Sequence, residues 1–160
     1  MAQVFVYRYV VSEQDIDYLG HASNIAYVRW VQDATVAHSE ACGLSVDAYK
    51  RAGGIFVIRR NEVDYVRPAA LGDELEIHTH VSGLTAAKAT RQTEVIRTRD
   101  SALLARAQTI WGFVDFGTGR PIRVPHWVRE AFGMLAPVRE ASEAARRREL
   151  PSPLATAQLS

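Results

Sequence analysis

Cysteine occurs once, at Cys42. A lone thiol excludes an internal disulfide framework and any thiolate-rich metal cluster, and it suits a reducing compartment. Neither sign of charge is in excess: 19 lysines and arginines stand against 18 aspartates and glutamates. No global field therefore gathers nucleic acid or an anionic membrane, and an anionic ligand must be held by a local patch. No apolar run approaches the ~20 residues that cross a bilayer. The opening MAQVFVYRYV lacks the basic head, apolar centre and small-residue cleavage site of a secretory signal. The expectation is a cytoplasmic protein that partners neither nucleic acid nor membrane. What the sequence does have, 160 residues with 48% hydrophobic content, suffices for one domain with a sizeable core.

Residues 3–11 are rich in valine, phenylalanine and tyrosine, which suits a strand. From Asn24 the period changes. Tyr27, Trp30, Val31, Ala34, Ala37 or His38, and Ala41 recur at the spacing of one helical face, with Ser23 placed to cap the start and Gly43 to stop the end. After a polar link and AGG at Ala52–Gly54, the pattern predicts strands over Phe56–Arg67, Asp73–Val81, Lys88–Thr98 and Ala102–Phe116. In Asp73–Val81 the residues Leu75, Ile77, Thr79 and Val81 alternate with Glu74, Glu76, His78 and His80. FGTGRP ends the strands, and PHWVREAFGML predicts a short closing helix. The domain is expected over 1–136. The tail 137–160 is expected to be helical in REASEAARRREL and disordered in its last ten residues. This order predicts an α+β fold, an antiparallel sheet against one long central helix. The uncovered face and edges of such a sheet predict an oligomer.

Most candidate chemistry fails on inspection. Cys42 falls at a helix C-terminus, where the dipole disfavours thiolate, so it is read as packing. His78 and His80 share a strand face with Glu74 and Glu76 and have no third ligand at a suggestive spacing, which reads as a solvated face rather than a metal site. AGGI lacks the lysine of a phosphate loop, and no Gly-x-Ser-x-Gly elbow occurs. Arg146–Arg148 are interleaved with Glu140, Glu143 and Glu149, as on a solvated helix. What remains is DIDYLGHASNIAYVRW, Asp15–Trp30. A helix start presents unpaired N–H groups and partial positive charge to a carbonyl that turns negative in acyl transfer. A nearby carboxylate could attack that carbonyl or deprotonate a water. Asp17 precedes Asn24 by seven residues, and Gly20 lets the chain turn back between them. The alternative is that Asp15 and Asp17 only cap turns.

DIDYLGHASNIAY resembles the Asp-x-Asp-x-x-Gly-His-x-Asn-Asn-x-x-Tyr signature of hotdog-fold acyl-CoA thioesterases, in the branch typified by 4-hydroxybenzoyl-CoA thioesterase. The similarity continues through YVRPAALGDELEI and ARAQTIWGFVDFGTGRPIRVP, covering roughly residues 5–133. The resemblance implies a long helix wrapped by a curved antiparallel sheet, and a homodimer or homotetramer with active sites at the subunit interface. It implies that Asp17 is the catalytic carboxylate and that a backbone N–H near Asn24 polarises the thioester carbonyl. Whether Asp17 forms a mixed anhydride or activates water stays open. His21 is assigned to site shaping or substrate contact. Tyr27 and Trp30 either line the acyl pocket or pack in the core. Ser23 stands where the signature has its first asparagine. GLTAAKATR keeps only Lys88 and Arg91 as cations for the CoA phosphates, with Arg59 or Arg60 of another subunit to assist. The implied activity is metal-free hydrolysis of an acyl thioester, most directly acyl-CoA, with coenzyme A as part of the substrate and no separate cofactor. The alternatives are release of an acyl or polyketide chain from an acyl carrier protein, and a non-catalytic acyl-CoA-binding module.

Overall fold

The computed structural model describes residues 3–134. The expected tail helix and disorder at 137–160 lie outside the described residues. In chain order the elements are β1 (Phe5–Val10), a 3-10 turn (Glu13–Asp15), α1 (Asn24–Ala41), α2 (Val46–Ala52), β2 (Gly54–Tyr65), β3 (Glu74–Leu84), β4 (Lys88–Arg97), β5 (Ala102–Asp115) and α3 (His126–Ala131). The strands form one sheet in the order β1-β3-β4-β5-β2, each neighbour antiparallel to the next. This is the α+β arrangement expected above, a long helix laid on an antiparallel sheet.

Helix α1 begins where Ser23, in extended conformation, accepts the Ala26 N–H on its side chain. At the other end Gly43 takes a left-handed φ of 79°. Its N–H bonds Glu40 O at 2.9 Å and the Leu44 N–H bonds Ser39 O at 2.8 Å, which ties off the last carbonyls. The buried stripe runs Ala26, Tyr27, Trp30, Val31, Ala34, Thr35, His38. Of the expected pair it is His38 that turns inward, and Ala41 is exposed. Ala26, Trp30 and Ala34 have no exposure and share a core with Leu75, Ile77, Val95, Leu104 and Ala105 of the sheet. The two alanines let the helix axis approach the sheet while the Trp30 indole fills the gap between them.

The expected alternation in β3 is present: Leu75, Ile77, Thr79 and Val81 are buried and the residues between them are not. A second core, with Leu44, Tyr49, Phe113, Val128 and Phe132, closes the end of the sheet nearer α2 and α3. Helix α2 corrects the polar link expected after Gly43. Ser45 accepts the Ala48 N–H at 3.2 Å, and Gly53 at φ 76° stops the helix after only two turns.

Strand β4 turns Arg91 inward. It is 3% exposed, and Nη1 donates to His38 Nδ1 at 2.8 Å and to Thr79 Oγ1 at 3.2 Å. Burial first, then the Arg91 charge, lowers the His38 pKa to about 4. The folded state thus holds His38 neutral while the unfolded chain protonates near 6.5. This share of stability is complete above pH 6.5 and is lost as pH falls toward 4. Between pH 7 and pH 5 it amounts to about 2 kcal/mol. Denaturant midpoints measured at both pH values, in wild type and in His38→Gln, should show this component in wild type and lose it in the variant. Identical pH dependence in both would contradict it.

Candidate active site

The loop ahead of α1 is built around Asp15, which is 1% exposed. Its carboxylate accepts from Tyr9 Oη at 2.6 Å, Ser12 N at 3.0 Å and Ser12 Oγ at 3.2 Å, and pairs with Arg29 at 2.6 Å. Its carbonyl accepts the Ser23 N–H at 2.8 Å. Burial alone would raise this carboxyl. The hydrogen bonds from Tyr9 and Ser12, with the Arg29 charge, outweigh burial and hold it below the usual range. One side chain thus fastens β1, the 3-10 turn and the first turns of α1 together.

Beyond that anchor the chain folds back on itself. Ile16 and Ala22 form an isolated antiparallel bridge, the Asp17 N–H bonds His21 O at 3.0 Å, and the Gly20 N–H bonds Asp17 O at 3.0 Å. Gly20 sits at φ 81°, a conformation that favours glycine. Asp17 is half-buried, and its Oδ1 accepts the Leu19 N–H at 2.8 Å. Asp17 does cap a turn, but with one oxygen. Oδ2 has no partner among the described residues.

Asp17, His21, Asn24 and Tyr27 line one open pocket of about 260 Å³, together with Leu19, Ala22 and the stretch Tyr65–Pro68. Ser23 takes the Ala26 N–H, whereas the N–H groups of Asn24 and Ile25 have no partner among the described residues. Asp17 and the first residue of an 18-residue helix, its positive end, therefore border the same space. That combination can supply a base or nucleophile and stabilise an oxyanion. Ser23→Ala removes the cap and should cost about 1 kcal/mol, lowering the melting temperature by roughly 2–4 °C. An unchanged melting curve would show that the cap contributes nothing here.

The other expected residues are placed elsewhere. Tyr27 faces the pocket while its hydroxyl is engaged, donating to Arg67 O at 3.1 Å and accepting from Ala69 N at 2.9 Å. Trp30 is wholly within the core and lines neither this pocket nor the cavity near α2. Arg91, expected to meet phosphates, is instead sequestered against His38 because its position on β4 faces the helix. Arg59 sits at the bulge between Ile58 and Arg60, its side chain lying across Gly112, where any Cβ would come within 2.8 Å of Nε. Arg60 pairs with Glu62. Lys88 is exposed at the start of β4, and none of these four cations lines the Asp17 pocket. Sequence reasoning missed Tyr65 and Arg67. Tyr65 Oη donates to Asn24 O at 3.3 Å, and Arg67 brings a guanidinium to the pocket rim, Nη1 on Leu103 O at 3.1 Å. The signal was their two-residue spacing at the exposed end of a strand.

Comparison with known proteins agrees with this fold. Residues 11–132 match the thioesterase-like superfamily. A chloroplastic acyl-acyl carrier protein thioesterase of Arabidopsis thaliana is 23% identical over 122 residues, covering 76% of this chain and 64% of the plant protein. The chain thus spans less than two thirds of that relative's length. The 1,4-dihydroxy-2-naphthoyl-CoA thioesterase of Synechocystis superposes with a TM-score of 0.76 at 21% identity, covering 83% of this chain and 98% of that one. A Staphylococcus aureus protein solved in complex with CoA gives a TM-score of 0.78 at 14% identity, covering 89% and 87%. At these identities the two solved structures establish the shared fold.

Proposed function

The chain belongs to the thioesterase-like superfamily, and from that premise we propose that it hydrolyses an acyl thioester, most directly acyl-CoA, with Asp17 as the reacting carboxylate. The observation that carries this reading is the pocket that Asp17 shares with the open N-terminus of α1. In one route Asp17 attacks the carbonyl, thiolate leaves, and water then cleaves the mixed anhydride. In the other, Asp17 takes a proton from water as that water attacks. Both yield carboxylic acid and free thiol, and in both the negative oxygen forms facing the Asn24 N–H. His21 is exposed and lines this pocket, a placement that supports a role in substrate contact.

The active form is a homodimer or homotetramer. Strand β2 is a sheet edge, and the apolar side chains Leu19, Ile25, Ile58, Tyr65 and Val66 are exposed along it and beside the pocket. A second copy would cover them and bring in Arg59 or Arg60 as a CoA phosphate contact, alongside Lys88. No helix among the described residues is long and apolar enough to cross a membrane, and the proposed compartment is the cytoplasm.

A second reading is an acyl carrier protein as the acyl donor. It is favoured by the burial of Arg91, which leaves fewer cations for CoA phosphates, and by the carrier-protein substrate in the name of the plant relative. Free-thiol release across matched acyl-CoA and acyl-carrier substrates, with short, long and aromatic chains, decides between them. Acyl-CoA binding without turnover of either class would instead favour a non-catalytic binding module.

A further inference from the structure

A second cavity, of about 130 Å³, lies between the C-terminal half of α1, α2 and the sheet. Its walls on α1 begin at Thr35, eleven residues past Asn24, or about 16 Å along the helix axis. Within one chain it is therefore separate from the Asp17 pocket. Leu44, Tyr49, Phe56 and Phe132 make its walls apolar, and its size is close to the roughly 150 Å³ of an apolar protein cavity that admits benzene.

One charged group on these walls is incompletely used. Arg91 is 3% exposed, its guanidinium lies against the Phe132 ring at 5.7 Å, and only Nη1 is bonded, to His38 and Thr79. Its Nη2 and Nε have no partner among the described residues. No carboxylate among those residues pairs with it. Glu40 also borders the cavity but is exposed and makes no ion pair with Arg91. Buried cations are normally paired, and buried donors normally bonded, because the unmade interactions are costly. A buried cation with open donors beside an apolar space suits an occupant that is itself apolar at one end and anionic at the other.

We propose that this cavity binds an apolar carboxylate, a ring or short chain ending in a carboxylate that is held by Arg91. Two sources share that chemistry. One is a free carboxylic acid. The other is the distal carboxylate of an acyl group presented by a second copy. Tyr65 of the Asp17 pocket and Phe56 of this cavity lie toward opposite ends of edge strand β2, so antiparallel pairing of two β2 edges would set the two spaces side by side. This second source rests on the thioesterase reading, whereas the first does not.

Calorimetric titration of the full chain with phenylacetate and with neutral phenylacetamide tests the proposal. The carboxylate should bind at least tenfold more tightly. Arg91→Met should erase the preference, and Ala89→Leu, which fills the cavity while keeping Arg91, should abolish binding of both. Equal affinity of acid and amide for the wild type, or no binding of either, overturns the proposal even if Arg91→Met fails to fold. Turnover then separates the sources. A wild-type preference for a dicarboxylic acid monothioester over the matched monocarboxylic thioester, lost in Arg91→Met, identifies the acyl group as occupant. Binding of phenylacetate without that preference identifies the free acid, and this result is readable even if the protein hydrolyses no thioester.

Discussion

Asp17→Asn should lower kcat for acyl thioester hydrolysis by two to four orders of magnitude, with KM and the unfolding midpoint nearly unchanged. The magnitude follows from removing a positioned base or nucleophile at almost constant volume. Structural neutrality follows from the local bonding. Among the described residues the only side-chain bond made by Asp17 is the one Oδ1 accepts from the Leu19 N–H, and an asparagine carbonyl accepts it equally well. A loss confined to kcat is the signature of an interaction used in the transition state and not in binding. Steady-state kinetics and a thermal melt on the same preparation check both halves.

Asp15→Ala should do the reverse. Its carboxylate is buried and satisfies Tyr9, two donors of Ser12 and Arg29 at once. Truncation leaves those donors without their acceptor. Arg29 is 45% exposed and can rehydrate, so the cost falls below the full range for a broken buried pair, at about 2–3 kcal/mol. For a chain of this size that is roughly 5–10 °C in melting temperature. Assayed well below its melting point, the variant should lose less than tenfold in rate. That pair of outcomes would separate two aspartates two residues apart into one that holds the loop and one that reacts. Equal rate losses in the two variants would erase the distinction.

How much of this was legible in the sequence depended on whether a residue's role is local. Helix α1 and β3 were readable because a periodic stripe and its caps are written in contiguous residues, as at Ser23, Gly43 and Leu75–Val81. Helix α2 was not read, although Ser45 and Gly53 mark both its ends, because seven residues are too few for a periodic stripe to stand out. The Asp17 loop was legible through its motif. The role of Arg91 was not. Which face of β4 turns inward, and that His38 waits there, are consequences of register between elements far apart in sequence. Tyr65 and Arg67 reach the site for the same reason, delivered by the far end of a strand that begins beside α2.

The most direct test of Asp17 as the reacting group is thiol release in a single turnover, with protein in excess over the acyl thioester that the substrate comparison favours. This isolates the chemical step from product release. The wild type should release thiol rapidly, and Asp17→Asn at a rate at least a hundredfold lower with substrate still bound. Equal single-turnover rates in the two proteins would contradict Asp17 as the reacting group.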